Sequence, residues 1–368
     1  MYSFTNFSKA FNNIDPFILL RKLEHNGVRG APLKLLESYL TNRFQYTKVN
    51  DVKSDLKPVK MGVPQGSLLG PLLFLIYIND ITKATNYKIR LFADDSCISI
   101  EHNNPIILQN IVNTELEKIN NWLEINKLFL NYKKTTYLIF TNQQHQHQFN
   151  ITVNNNIISQ SHQTKYLGVI LDDKMLWNHH TNHIKSKLAR NNYALAKLRG
   201  FFNETTMKII YYSLIYPFLQ YCISSWGKAA GTHMEPLEKL QKQSIRHICK
   251  KPPRTHTNDL FHAQEILKLK EIYKYQVAKL IYRNNKNASI GDTQLKTIQS
   301  VHQYNTRLAA NFNFYRPKSN TNTKIKSYSY QGPIIWEEIP LTIKESTTPI
   351  IFKIQLKRHF LESYVELS

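Results

Sequence analysis

Apolar residues along positions 1–141 alternate between two periods. Tyr2 to Phe7 predicts an opening strand. From Asp15 to His25, the spacing of Phe17, Ile18, Leu19, Leu20 and Leu23 predicts a helix that Gly27 stops. Pro32 to Leu40 predicts a second helix with Pro32 in its first turn. Tyr46 to Val49 and Leu56 to Val59 read as strands around a polar turn. Leu68 to Asp80 is apolar all round and predicts a buried helix that tolerates Pro71 near its start. Ile89 and Leu91 lead into a bend, and Ile98 and Ile100 lead out of it one residue out of phase. That slip predicts a β-hairpin with Asp94 and Asp95 in its tight turn. Ile107 to Asn126 is helical again through Ile111, Leu116, Ile119, Trp122 and Leu123, and Tyr137 to Phe140 supplies a strand. Strands and helices interleaved in this way give an α+β fold with helices on one face of a sheet.

Asn142 to Gln148 is a polar, low-complexity break expected to be a loop between strands. A short strand follows at Tyr166 to Leu171. From His179 to Ile248 the pattern is mostly helical, closed by Lys251-Pro252-Pro253. Leu260 to Tyr282 predicts one further helix, after which Asn and Lys clusters run through 284–326. The expected division is 1–175, 176–253 and 254–368.

Composition narrows the partners. Lys and Arg number 48 against 26 Asp and Glu, a net charge of +22, which points to a polyanion whose counterions are released on binding. A basic surface with no specific ligand is the plain alternative. Cys97, Cys222 and Cys249 are odd in number, far apart and without a CxxC pair, so neither a disulfide framework nor a zinc knuckle is supported. An intracellular, reducing compartment (cytoplasm or nucleus) is the expectation. The N-terminus lacks the basic flank and apolar core of a signal peptide. The longest apolar stretch, Leu68 to Ile78, falls short of the roughly 20 residues that span a bilayer.

Two segments carry candidate chemistry. In Phe92-Ala93-Asp94-Asp95 the adjacent carboxylates repel, and a divalent cation such as Mg²⁺ is the usual answer. A solvated turn can carry the same pair. Gly62-Val63-Pro64-Gln65-Gly66-Ser67 lets the backbone approach a ligand, with Ser67 placed to cap the following helix. Alone, it also reads as a structural junction. His179 and His183 share a helix face, yet no third and fourth metal ligands follow at suitable spacing. A solvated or nucleic-acid-facing helix is expected there, and His145 and His147 rank lower still.

Taken in order, these segments resemble the reverse transcriptase of non-LTR (LINE-like) retrotransposons, nearest to the jockey type. The resemblance rests on Phe7-Ser8-Lys9-Ala10-Phe11 with Leu19 to Leu23, Gly62 to Ser67 with Leu69 to Leu72, and Phe92 to Asp95. It continues through Leu130-Asn131-Tyr132-Lys133-Lys134-Thr135 and Lys165-Tyr166-Leu167-Gly168-Val169, with a weaker echo in Ser329 to Pro333, Trp336 and Pro340. It implies a right-hand polymerase palm with an antiparallel sheet, lacking most of the fingers, then a helical thumb and a mostly helical C-terminal region. The implied chemistry is RNA-directed nucleotidyl transfer with two Mg²⁺ ions, using RNA template, DNA primer, RNA–DNA hybrid and dNTPs. The oligomeric state stays open.

Residue by residue, the resemblance places the metals on Asp94 and Asp95. Phe11 would lie under the incoming sugar, and Pro64, Gln65, Gly66 and Ser67 along the template–nucleotide pair. Lys134 would stand near the departing phosphates unless it is simply solvated, and Tyr166, Leu167 and Gly168 form the primer grip. A basic block with Arg190, Lys197, Lys239, Lys242 and Arg246, interleaved with Tyr193, Tyr211, Tyr212 and Tyr221, would hold a duplex by shape. Most of those tyrosines also suit core packing.

The sequence departs from the family pattern where the first-strand aspartate belongs: position 6 is Asn6, and the residue after the aromatic is Asn12. Asp15 lies on the following helix, out of reach. Loss of a metal-binding carboxylate costs on the order of 3 kcal/mol, a hundredfold in rate. The expectation is a truncated, impaired copy with weakened metal binding, or a non-catalytic nucleic-acid-binding remnant.

Overall fold

The computed structural model describes residues 1–6, 10–141, 147–286, 295–301 and 312–364, with backbone alone at 5, 6, 10 and 286. His145 and Phe7 to Lys9 lie outside the described residues. Contacts divide the mixed α+β chain into two compact units, Met1–Lys174 and Met175–Ser368.

The first unit is built on a five-stranded sheet. Its central strand, β1 (Tyr2–Asn6), lies between β7 (Asp95–Ser99) and β8 (Thr136–Leu138), antiparallel to both. The strand β6 (Lys88–Phe92) pairs antiparallel with β7 at one edge. At the other, β11 (Ser159–Gln160) runs parallel to β8.

Alternation along the strands gives the sheet two unlike faces. Ile98, Ile100 and Tyr137 enter the main core with helices α1 (Pro16–His25), α3 (Leu69–Ile78) and α4 (Pro105–Ile125). Phe4, Cys97 and Leu138 form a small cluster covered by Tyr166 and Leu171. Those two belong to a hairpin of β12 (Gln163–Tyr166) and β13 (Val169–Asp172), so the single strand expected at 166–171 is replaced by a turn. Leu167 and Gly168 sit at its tip with φ of 47° and 81°, the signs a two-residue turn of matching twist requires.

The helix α3 is not buried all round. Leu73, Phe74, Tyr77 and Ile78 face the core, whereas Leu69, Leu72 and Leu75 are 41–52% exposed and Leu68, just before it, is bare. An apolar sequence reports hydrophobicity on every side; it does not report which side finds a partner.

The second unit is helical. The helices α5 (Asn178–Leu198) and α9 (Gly231–Ile248) pack along one another, with α6 (Glu204–Leu214), α7 (Tyr216–Gln220) and α8 (Ile223–Trp226) between them in sequence. The helix expected over 260–282 is broken into α10 (Asn258–Ala263) and α11 (Leu269–Lys286). Phe261, Ile266, Leu267 and Leu269 are all buried, and no single helix face carries that spacing. The restart is fixed by Gln241, whose Oε1 accepts the Leu269 N–H at 2.8 Å while its Nε2 donates to the Tyr211 hydroxyl and the Leu267 carbonyl. Beyond these lie α12 (Ile298–Val301), α13 (Asn322–Ile325), α14 (Tyr328–Glu337), α15 (Leu341–Lys344) and α16 (Pro349–Glu362).

The solvated reading of the histidine helix needs correction at His180. It is buried on the inner face of α5, edge-on to Trp226 with ring centroids 5.5 Å apart. Burial, with a smaller contribution from His183, pushes its pKa down to about 4. Among the described residues no three His, Cys, Asp or Glu side chains group as metal ligands. No helix of the described residues is long and apolar enough to cross a membrane.

Candidate active site

The hairpin that carries the aspartates closes through a two-residue loop. Phe92 and Asp95 are the last paired residues, leaving Ala93 and Asp94 in the loop, with Ala93 at φ 50°. Asp95 therefore opens a strand rather than sitting in the turn. Its place in β7 gives it a second neighbour, because the last rung of β1 sets Asn6 directly opposite Asp95. Three polar positions, 94, 95 and 6, thus meet at one end of the sheet. Both aspartates are half-buried.

Tyr166 comes to the same end. Tyr166 packs on Phe4 with ring centroids 5.1 Å apart. Its phenol is pushed up by burial first, then by the negative charge of Cys97 and Asp95, with Arg90 opposing. Lys134 lies in the turn entering β8 and is exposed. As Thr136 pairs with Phe4 in antiparallel register, Lys134 stands toward the Asn6 end of the sheet.

A second group of predicted residues is held together elsewhere in the unit. The loop at 62–67 is fastened to the short 3-10 turn Ala10–Asn12 and the residues after it. Gly62 N–H donates to the Ile14 carbonyl at 2.7 Å, and Val63 N–H to the Phe11 carbonyl at 3.1 Å. Gln65 Nε2 donates to Asn12 Oδ1 at 2.6 Å. Gly62 adopts φ 85°, and a Cβ there would meet Asn12 Cα at 2.9 Å and two backbone oxygens at 3.0 Å, so only glycine fits. Phe11 rests on Phe74 of α3, centroids 4.7 Å apart, which fixes its ring. Ser67 stands one residue before the N-cap position, Leu68, and still ties down the helix start: its Oγ accepts from Gly70 N–H at 3.0 Å and donates to the Pro64 carbonyl.

Sequence reasoning passed over Arg43. Its guanidinium donates to the carbonyls of Leu40, Met61 and Gly62, clamping the loop from outside. A lone arginine at the start of a short strand carries no motif; only the fold gives it this role. Asp15 is structural. Its carboxylate caps α1 through Phe17 and Ile18 N–H and pairs with Lys127 at 2.5 Å. Burial raises its pKa, but the Lys127 partner and the two capping bonds outweigh that and hold it below the usual range.

Asp94 and Asp95 are oxygen donors of the kind Mg²⁺ takes, so the donor set fits a divalent cation in kind. The residue paired with Asp95 on the facing strand, at position 6, is an asparagine.

Residues 1–171 match the family described as "Reverse transcriptase (RNA-dependent DNA polymerase)". The chain is 26% identical over 263 residues to the "RNA-directed DNA polymerase from mobile element jockey" of Drosophila melanogaster, covering 68% of this chain and 28% of that protein. The jockey counterpart from Drosophila funebris is also 26% identical, over 62% of this chain and 26% of its own length. The "Probable RNA-directed DNA polymerase from transposon BS" of Drosophila melanogaster is 28% identical over 58% and 25%. The chain spans about a quarter of the length of these curated relatives. Among solved structures, telomerase from Candida albicans in complex with a telomeric RNA fragment aligns over 70% of this chain and 48% of that one. Its TM-score of 0.33 and 15% identity are too slight to bear on the fold. Over residues 1–171 the chain is thus similar to the reverse transcriptase family, and among curated proteins to the RNA-directed DNA polymerases of jockey-type mobile elements.

Proposed function

We propose that residues 1–175 are a polymerase palm for RNA-directed DNA synthesis, slowed by the amide at position 6. The observation that supports this most is the rung pairing Asn6 with Asp95, beside Asp94. In this reading Asp94 and Asp95 hold Mg²⁺, which would activate the primer 3′-oxygen and offset charge on the departing pyrophosphate. Phe11, braced by Phe74, forms the floor under the incoming sugar and leaves no room for a 2′-hydroxyl. Pro64, Gln65 and Gly66 line the pair of template base and incoming dNTP, and Ser67 fixes the start of α3 behind them. Tyr166, Leu167 and Gly168 grip the DNA primer, and Lys134 meets the departing phosphates. Residues 176–253 act as a thumb on the RNA–DNA hybrid.

An amide oxygen can bind the cation but brings no negative charge to offset it. That favours a second reading, a nucleic-acid-binding remnant that holds hybrid without extending primer. Primer extension on an RNA template with Mg²⁺ or Mn²⁺ separates the two. Restoring Asn6→Asp is expected to raise the rate about a hundredfold, and extension by the natural chain within tenfold of that variant would sink the impaired reading. A remnant still binds hybrid with a steep salt dependence; absence of that dependence would dismiss the basic surface as a binding surface.

A further inference from the structure

The second unit holds a cavity of about 1210 Å³ that none of the family motifs touches. Its walls come from α6, α7 and α8, from α11, and from the start of α16. Two kinds of side chain line it. Tyr212 and Tyr216 meet edge to face at 5.1 Å, and Tyr282 stacks on Phe352 at 4.1 Å and 14°. The Tyr282 ring is further fixed by its hydroxyl, which donates to the Ser346 carbonyl at 2.6 Å.

The second kind is cationic. Lys279, Arg283 and Lys353 all border the space, and no acidic residue is among the described residues that do. Lys279 is held below the usual lysine range by burial first, then by the charges of Lys353 and Arg283. Like charges gathered this way repel, and an anion relieves them. Beside them Gln276 Nε2 is buried with no hydrogen-bond partner among the described residues, while its Oε1 accepts from Lys279 Nζ at 3.2 Å. A buried amide N–H without an acceptor is uncommon and asks for an oxygen. Phosphate supplies both the charge and the oxygen.

The aromatic walls decide which phosphate-bearing molecule fits. Rings fixed by packing stack on base faces without regard to sequence, at about 1–3 kcal/mol per base. The volume exceeds the roughly 1,000 Å³ upper end of small-molecule pockets, so there is room for more than one nucleotide. A duplex keeps its bases paired inside and cannot offer them. We infer that this cavity binds a short single-stranded stretch of nucleic acid, bases on Tyr212, Tyr216 and the exposed Tyr221, and phosphates on Lys279, Arg283 and Lys353. The inference is independent of what Asp94 and Asp95 do.

Cys222 lines the same cavity and is exposed, whereas Cys97 and Cys249 are buried, so one thiol reports occupancy. The experiment follows iodoacetamide labelling of each cysteine in the whole chain by mass spectrometry. The additions are an oligouridylate of about eight nucleotides, an RNA duplex of equal length, UMP, and an oligoglutamate peptide. The oligouridylate is expected to slow Cys222 labelling at least about fivefold, with the other three additions ineffective at matched charge. Tyr221→Ala, at an exposed ring on the rim, is expected to raise the oligouridylate concentration needed for half-protection roughly tenfold, and Lys279→Glu with Lys353→Glu to abolish protection. Equal protection by duplex, mononucleotide or peptide would overturn the inference, as would no protection or protection indifferent to the variants. Should the charge reversals unfold the chain, Cys97 and Cys249 become reactive and Tyr221→Ala alone decides.

Discussion

The sheet end of the first unit and the cavity of the second are built from opposite materials. At the sheet end, negative charge collects at Asp94 and Asp95 on strands whose register is set by backbone pairing. In the cavity, positive charge collects at Lys279, Arg283 and Lys353 on helices whose placement depends on side-chain packing. The first arrangement keeps its parts in short contiguous motifs, because a hairpin fixes neighbours in sequence as neighbours in space. The second draws on segments well over a hundred residues apart, from Tyr212 to Lys353. Chemistry on a hairpin can be read from a chain; chemistry in a helical cavity has to wait for the fold.

That contrast can be broken or sharpened by experiment. The largest effect belongs to the carboxylates. In an Asn6→Asp background, Asp95→Asn is expected to lower primer extension about a thousandfold, some 4 kcal/mol, while Cys222 protection by oligouridylate stays within about twofold. A joint loss of both would show that the two regions are not separate devices. Next comes the loop fastened under Phe11. Gly62→Ala forces a side chain into a left-handed backbone and against Asn12, and should cost about 3 kcal/mol in urea unfolding; a cost below about 1 kcal/mol would mean the loop yields easily.

A smaller effect concerns acid. His180 stays neutral in the folded chain down to about pH 4, whereas the unfolded chain takes up its proton near 6.5. Stability from this group is therefore complete above 6.5 and falls as pH drops below it, by roughly 2 kcal/mol at pH 5. His180 packs on Trp226, whose indole N–H donates to the Tyr221 carbonyl on the cavity rim. Hydrogen exchange at pH 5 should thus rise around Tyr221 before it rises in β1 or β7, and His180→Phe should flatten the pH slope. The smallest effect is Gln65→Ala, which removes the bond to Asn12 and should cost about 1 kcal/mol; a double-mutant cycle with Asn12→Ala measures that coupling directly.

Much of the first unit was legible because its elements announce themselves locally. The helix expected from Asp15 to His25 is Pro16–His25, and the strand expected from Tyr2 to Phe7 is Tyr2–Asn6. Out-of-phase alternation around residue 93 located the hairpin, yet it could not say that Asp95 would pair while Asp94 would not, since that depends on loop geometry at Ala93. Arg43 and the bond between Gln65 and Asn12 join segments distant in sequence and leave no trace in periodicity. The second unit was harder for the same reason. Helical spacing marked its helices, but the break after Ala263 arises because Gln241 from another helix captures the Leu269 N–H.

The pairing of Asn6 with Asp95 has a consequence in the language of genes. Every asparagine codon differs from an aspartate codon in its first base alone. The rung itself, set by five residue pairs between β1 and β7, is already in register. A carboxylate at position 6 is thus one base substitution away, with the alignment of the strands that would present it already set.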